Sequence, residues 1–285
     1  MATEGNVVLT DGRRMSYAEY GSPAGHPVLY FHGAPSSRLE PLLIGDGTFA
    51  RYGLRIIAPD RPGMGRSTFQ PHRGFGDWPM DVIALANALR LEKFSVLGNF
   101  SGGPYAAACA VRIPQRLHSA VIVSGGWRMD RPRALANLHF MTRVTWQLTK
   151  HAPALLRLLL KNMVARVGDD LSQMKNILPQ ADYDAFESAG RYETFGYVLR
   201  EAMRQGPKGP IWDMRLFVHP FDIRLQDIHM PLQVFHGEKD ASVPVALVRE
   251  ALADIPAAKL TTYTHEAHLS TLCNRFDDIA SALLA

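Results

Sequence analysis

The chain has 285 residues, of which 47% are apolar and 20% charged, with a formal net charge of +4. That composition suits one large α/β domain, with or without an insertion, whose core needs neither disulfides nor a structural metal. The mild basicity, a pI near 9.1, comes with no dense Lys/Arg run, so it reads as a solvated surface and excludes an evident nucleic-acid interface.

In chain order, Val7-Val8-Leu9 and Met15 to Tyr20 flank Asp11-Gly12, a hairpin signal. Pro27 to Phe31 is an almost continuous apolar run closed by His32-Gly33-Ala34-Pro35, and Leu54 to Ala58 is closed by a Gly/Pro turn from Pro59 to Ser67. Short apolar runs ended by such turns suit strands buried on both faces of a parallel sheet. Asp81 to Arg90 has helical spacing, with Val82, Leu85, Ala86 and Leu89 on one face. Phe94 to Leu97 reads as a strand, Pro104 to Val111 as a helix and Ala120 to Val123 as a strand ending at Ser124-Gly125-Gly126-Trp127. From 130 to 227 helical patterns replace the strands. The alternation then resumes with a strand at 232–235, a helix at 244–253, a strand at 259–263 and a final helix from about 269 to 284. Strands alternating with helices predict a mostly parallel sheet with helices on both faces. Residues 1–129 and 228–285 would form the sheet domain, and 130–227 a helical lid inserted into it.

Cys109 and Cys273 lie in helix-like apolar settings outside any C-x-x-C pair and read as buried thiols of a reducing compartment. The N-terminus lacks the charged and apolar regions of a signal peptide. The longest apolar-rich run, 152–165, is broken by Arg157 and Lys161 and is too short to span a bilayer. The expectation is a soluble cytoplasmic protein acting on a small molecule, with no nucleic-acid or membrane partner; a homodimer is left open.

Loops at the carboxyl ends of parallel strands share one edge, and ligands bind there. Five such loops carry polar or Gly-rich groups: His32-Gly33-Ala34, Asp60 to Ser67, Asn99 to Gly103, Asp240, and His265 to His268. His265-Glu266-Ala267-His268 is one residue short of H-E-x-x-H, and Gly63-Met64-Gly65 lacks the spacing of a dinucleotide site, so neither a metal nor an organic cofactor is expected.

Together with Tyr30 to Pro35, Ala58 to Ser67, His236-Gly237-Glu238-Lys239-Asp240 and His268-Leu269-Ser270, these loops resemble the α/β-hydrolase superfamily over nearly the whole chain. The pattern is nearest to the soluble bacterial-type hydrolases with a helical cap. The resemblance implies an eight-stranded, mostly parallel sheet with a helical cap insertion. It implies that Asp240 is the acid and His268 the base of a triad, with His265 as a rival. It also implies that the His32-Gly33-Ala34 loop, through the N–H of Ala34, helps to form an oxyanion hole. Trp127 either lines the pocket or packs under the cap.

The nucleophile turn departs from the family pattern, G-x-nucleophile-x-G. Counting from Gly98 to Gly102 puts Phe100 at the nucleophile position and Ser101 after it, with no insertion. Centring on Ser101 keeps a serine nucleophile but puts Asn99 where Gly is wanted and shifts the strand by one residue. In the first register no covalent enzyme intermediate can form. The His268–Asp240 pair would then act as general acid or base on a small, largely apolar carbonyl compound, as in a lyase, isomerase or cyclase. Ser101 in the second register would make a serine ester hydrolase. A third reading is a catalytically silent ligand-binding protein.

Overall fold

The structure is a computed structural model that describes residues 3–129, 132–135, 138, 140–166 and 178–285. Its frame is an eight-stranded sheet. The strands are β1 (Thr3–Val8), β2 (Arg14–Gly21), β3 (His26–Phe31), β4 (Leu54–Pro59), β5 (Phe94–Asn99), β6 (Leu117–Val123), β7 (Leu232–Gly237) and β8 (Ala258–Tyr263), in the spatial order β1-β2-β4-β3-β5-β6-β7-β8. β1 and β2 form the expected hairpin, closed by Gly12 at φ +83°, and β2 runs antiparallel to β4. All later pairings are parallel.

Alternation along the strands divides the core in two. Leu29, Phe31, Val96, Ile122 and Val234 face one layer, which includes α2 (Trp78–Ala88) and α3 (Gly103–Arg112). Val28, Tyr30, Leu97, Val121, Val123 and Phe235 face the other, which holds Phe49 of α1 (Asp46–Arg51) and Phe276, Ile279 and Leu283 of the last helix. The central strands are therefore buried on both faces, and this is why they read as unbroken apolar runs.

Among the described residues, five α-helices lie between β6 and β7. They are α4 (Phe140–His151), α5 (Pro153–Arg166), α6 (Gln180–Glu187), α7 (Arg191–Ala202) and α8 (Lys208–Phe217). Parts of the expected insertion, residues 130–131, 136–137, 139 and 167–177, lie outside the described residues. α6, α7 and α8 bond or pack against the sheet domain, α7 through Glu201, which pairs with Arg38 at 2.6 Å. Phe217 of α8 packs edge-on to Phe75 at 5.4 Å, and Asp182 of α6 bonds the start of the helix that carries His268.

After α9 (Val245–Leu252), the single final helix expected over 269–284 is instead two, α10 (His268–Asn274) and α11 (Phe276–Leu284). Arg275 breaks them, at φ −113° and ψ 24°. Its guanidinium bonds Glu266 at 2.9 Å and lies over the Tyr263 ring, and the bend turns Phe276 onto Phe49. Among the described residues no helix is long and apolar enough to cross a membrane.

Candidate active site

The carboxyl ends of six parallel strands bring His32, Asp60, Phe100, Ser124, Asp240 and His268 to one edge of the sheet. His268 is the first residue of α10, and its Nδ1 lies 2.7 Å from Asp240 Oδ2. The other carboxylate oxygen, Asp240 Oδ1, accepts the backbone N–H groups of Ser242 and Val243, each at 2.8 Å. The acid is thus fixed by its own loop, and it holds the imidazole with Nδ1–H toward the carboxylate, while Nε2 has no hydrogen-bond partner among the described residues. Burial alone would push the His268 pKa down. The charge and hydrogen bond of Asp240 outweigh it, Asp182 and Glu40 add to them, and the net direction is upward. Asp240 is the mirror case: burial pushes it up, but the His268 charge and hydrogen bond, with His236 behind, bring it below the ordinary carboxylate value.

α10 is held in place by short bonds at its start. Ser124, at φ +48° after β6, donates its hydroxyl to the His268 carbonyl at 2.8 Å. Ser270 Oγ accepts the Ala267 N–H at 2.7 Å. Asp182 Oδ1 accepts the N–H groups of Leu269 and Ser270 at 2.9 and 2.8 Å.

The turn after β5 has Phe100 at its apex, at φ +49°. A bulky side chain seldom adopts this backbone, and the position costs about 1–3 kcal/mol. The flanking glycines explain the register. A Cβ on Gly98 would lie 2.5 Å from the Gly102 carbonyl oxygen, and one on Gly102 would lie 1.9 Å from that of Phe31. Both positions admit only Gly, so the turn is Gly98-x-Phe100-x-Gly102. The Phe100 carbonyl is tied down by the Gly126 N–H at 2.8 Å, and its ring meets the His268 ring at 4.5 Å between centroids, tilted 86°. Phe100, not Ser101, is the elbow side chain against His268.

Ser101 points elsewhere. It is buried, and its Oγ accepts from Arg61 Nη2 at 3.2 Å. Arg61 also donates to the carbonyls of His32 and Gly33 and, through Nε, to Asp213 Oδ2 at 2.7 Å. Asp213, on α8, is shared with Arg73 and with the Tyr105 hydroxyl, over whose ring Arg61 stacks at 4.7 Å. Burial opposes the Asp213 charge, yet the two guanidiniums win and lower its pKa. Two buried arginines with one aspartate leave this side of the elbow cationic.

The His32 ring is wholly buried behind its own loop. Its Nδ1 donates to the Gly33 carbonyl at 2.7 Å and its Nε2 accepts the Arg61 N–H at 3.2 Å, a pattern that fits only the neutral Nδ1–H tautomer. Burial, then the Arg61 charge, hold its pKa well below the ordinary value. The ring therefore shapes the loop. The Gly33 N–H is taken by Glu40 Oε2 at 2.9 Å, and the Phe100 ring packs against Gly33. Glu40 also accepts from the Tyr30 hydroxyl at 2.7 Å and from Asn99 Nδ2 at 2.8 Å, which gives Asn99 a partner in a buried site. Trp127 is 2% exposed, sits beside Gly125 and belongs to the core layer of α3.

Four contributors carry no sequence signal of their own. Glu40, Arg73, Asp182 and Asp213 lie in no motif and reach the site across the fold. Arg61 had one: it belongs to a turn at the carboxyl end of a strand.

Residues 26–272 match the model of a family described as alpha/beta hydrolase fold. The chain belongs to that family. It is an enzyme of the alpha/beta hydrolase fold, and its curated relatives are hydrolases and chloroperoxidases. It is 26% identical to a 2-hydroxymuconate semialdehyde hydrolase of Pseudomonas putida, over 99% of this chain and 94% of that protein. It is 36% identical to a non-heme chloroperoxidase of Streptomyces lividans, over 42% of this chain and only 44% of that protein. Among solved structures, a hydrolase from Pseudomonas aeruginosa PA01 aligns with a TM-score of 0.69 at 20% identity, covering 99% of this chain and 97% of that one, a likeness of fold alone.

Proposed function

We propose that this alpha/beta-hydrolase-fold enzyme acts on a small, largely apolar carbonyl compound by general acid–base catalysis, without a covalent intermediate. The observation that carries the reading is the Phe100 ring against His268. A carbon side chain stands where a nucleophilic oxygen would have to stand, while the acid–base pair beside it is hydrogen-bonded and buried. His268 would exchange a proton with the bound compound through Nε2, Asp240 would stabilise the imidazolium, and the N–H groups of Ala34 and Ser101 would meet charge on the carbonyl oxygen. Asp240 raises the proton affinity of His268, which suits the imidazole to exchange a proton with a bound carbonyl compound. Proton transfer, elimination, carbon–carbon cleavage and ring closure all fit this sequence of events. The inserted helices, over about 130–227, would act as the cap, and Phe100 would form the apolar floor.

The names of the relatives favour a second reading, hydrolysis by Ser101. It requires the Ser101 hydroxyl to leave Arg61 and turn past Phe100. A fluorophosphonate serine probe and a short-chain chromogenic ester, used beside Ser101→Ala and His268→Ala, separate the two. The acid–base reading expects no labelling of the wild type. It also expects conversion of a carbonyl compound that falls by about a hundred- to ten-thousandfold in His268→Ala. Labelling that disappears in Ser101→Ala would overturn it. A compound that binds and is never converted would identify a ligand-binding protein instead.

A further inference from the structure

Asp182 does more than a tether requires. It lies in the first turn of α6 and is 1% exposed. Oδ1 takes the two N–H groups behind His268, and Oδ2 is buried with no hydrogen-bond partner among the described residues. Two N–H groups need one acceptor oxygen, and an asparagine would supply it without a charge. A buried carboxylate oxygen left unmatched costs stability. Burial raises the Asp182 pKa, and the two N–H groups and the His268 charge act against it, so the carboxylate and the imidazole at the head of the same turn favour each other's charged forms.

We propose that Asp182 is a positioning residue for His268: it fixes the turn that carries the imidazole and couples the seating of α6 to the protonation of that imidazole. The groups around His268 come from several elements. Asp240 and the neutral His236 belong to β7 and the loop after it, Glu40 to the turn that follows the β3 loop, and Asp182 to α6; Phe100 adds an uncharged ring. Arg191 and the thiol of Cys273 lie within electrostatic reach of the Asp182 and Glu40 side, and Arg191 opposes their charge. Asp240 and Glu40 belong to the sheet domain and stay with His268 whatever α6 does. Asp182 is the one carboxylate of the three that arrives on an inserted helix.

Linkage makes the effect reciprocal. If seating α6 favours the imidazolium, protonating the imidazole favours the seated helix by the same free energy. A substrate that takes the proton would then loosen α6 after the transfer, when the product must leave. The inference rests on the acid–base reading of His268, but its test reads the imidazole itself and needs no substrate.

The test is an NMR titration of the His268 ring in the full chain, wild type beside Asp182→Asn, with hydrogen exchange of the Leu269 and Ser270 amides. Asp182→Asn keeps an acceptor for both amides and removes the charge. The expected result is a fall of about one unit in the His268 midpoint, a tenfold loss of proton affinity, with both amides still protected. A midpoint equal to that of the wild type overturns the proposal and leaves Asp182 a tether. A midpoint that falls only together with amide protection overturns it as well, because displacement and not charge would be the cause. The wild type alone supplies a second check. Once corrected for intrinsic exchange, protection of these two amides is expected to drop, by up to about tenfold, as pH rises through the His268 midpoint. Protection that is flat across that range overturns the coupling even if the variant does not fold.

Discussion

The two sides of the Phe100 turn are built from opposite charges. On one side an imidazole is hydrogen-bonded to Asp240 and lies within the field of two further carboxylates, Asp182 and Glu40. On the other side two guanidiniums, Arg61 and Arg73, share one carboxylate, Asp213. His268 and Ser101, which a hydrolytic triad would join, lie on different sides, and the Phe100 ring is the wall between them. The acidic side is buried, like the other, and it holds an imidazole whose proton affinity is set by its surroundings. The cationic side faces inward and has its donors on backbone carbonyls, Ser101 and α8, as a structural joint would. The difference teaches that each side of the turn is held by bonds of its own, His268 to Asp240 on one and Arg61 to Asp213 and Ser101 on the other, and none of these bonds crosses Phe100.

Replacing the wall is the most direct way to break this division. Phe100→Ser puts a hydroxyl at the apex of a turn whose glycines and backbone bonds are unchanged, next to a hydrogen-bonded His–Asp pair. Labelling by a fluorophosphonate is expected to rise from background to stoichiometric, checked by intact mass. A Phe100→Ser protein that folds and stays unlabelled would show that the acidic side no longer supports a nucleophile. The cationic side breaks through its shared aspartate. Asp213→Ala leaves Arg61 and Arg73 buried without a counter-charge, and the guanidinium midpoint is expected to fall by the equivalent of about 3–5 kcal/mol.

Changing the pH sharpens the comparison without mutation. The His268 pKa is raised in the folded state, so its contribution to stability is complete below the unfolded value near 6.5 and is lost as pH rises through the folded value. Asp240 and Asp213 are lowered, so theirs is complete above the ordinary carboxylate value of 3.8 and is lost as pH falls through their folded values. Mild alkali is thus expected to weaken the His268 side alone, and acid to weaken both. Urea midpoints measured across about pH 4–9 in wild type and His268→Gln check this, since the alkaline decline should vanish in the variant. The smallest effect belongs to Ser101→Ala. Arg61 keeps its other acceptors, so the cost is expected to be about 1 kcal/mol or less, with turnover nearly unchanged.

The strands were legible because burial on both faces forces unbroken apolar runs, and Gly/Pro turns mark their ends. Asp240 and His268 could be read as a pair because each follows a strand that the parallel order sends to the same edge. The flanking glycines left two registers for the turn, and the structure decides between them because a Cβ at Gly98 or Gly102 would strike neighbouring backbone. What was not legible came from far along the chain. Asp213 meets Arg61 across 152 residues, and Asp182 meets Ser270 across 88. A lone Asp in an amphipathic helix looks like any solvated charge until packing buries it. The break at Arg275 was hidden for a related reason: it depends on Glu266 and Tyr263 capturing the guanidinium, not on a helix-stopping residue.

The glycines at 98 and 102 are held by the backbones of β3 and of the turn itself, and they would be needed with any side chain at position 100. The frame of the turn and its chemistry are therefore under separate constraint. A chain can carry the full outline of such a turn for purely steric reasons, whatever side chain stands at its apex. By the same measure, a serine at position 100 would present its hydroxyl on a frame whose shape does not depend on it.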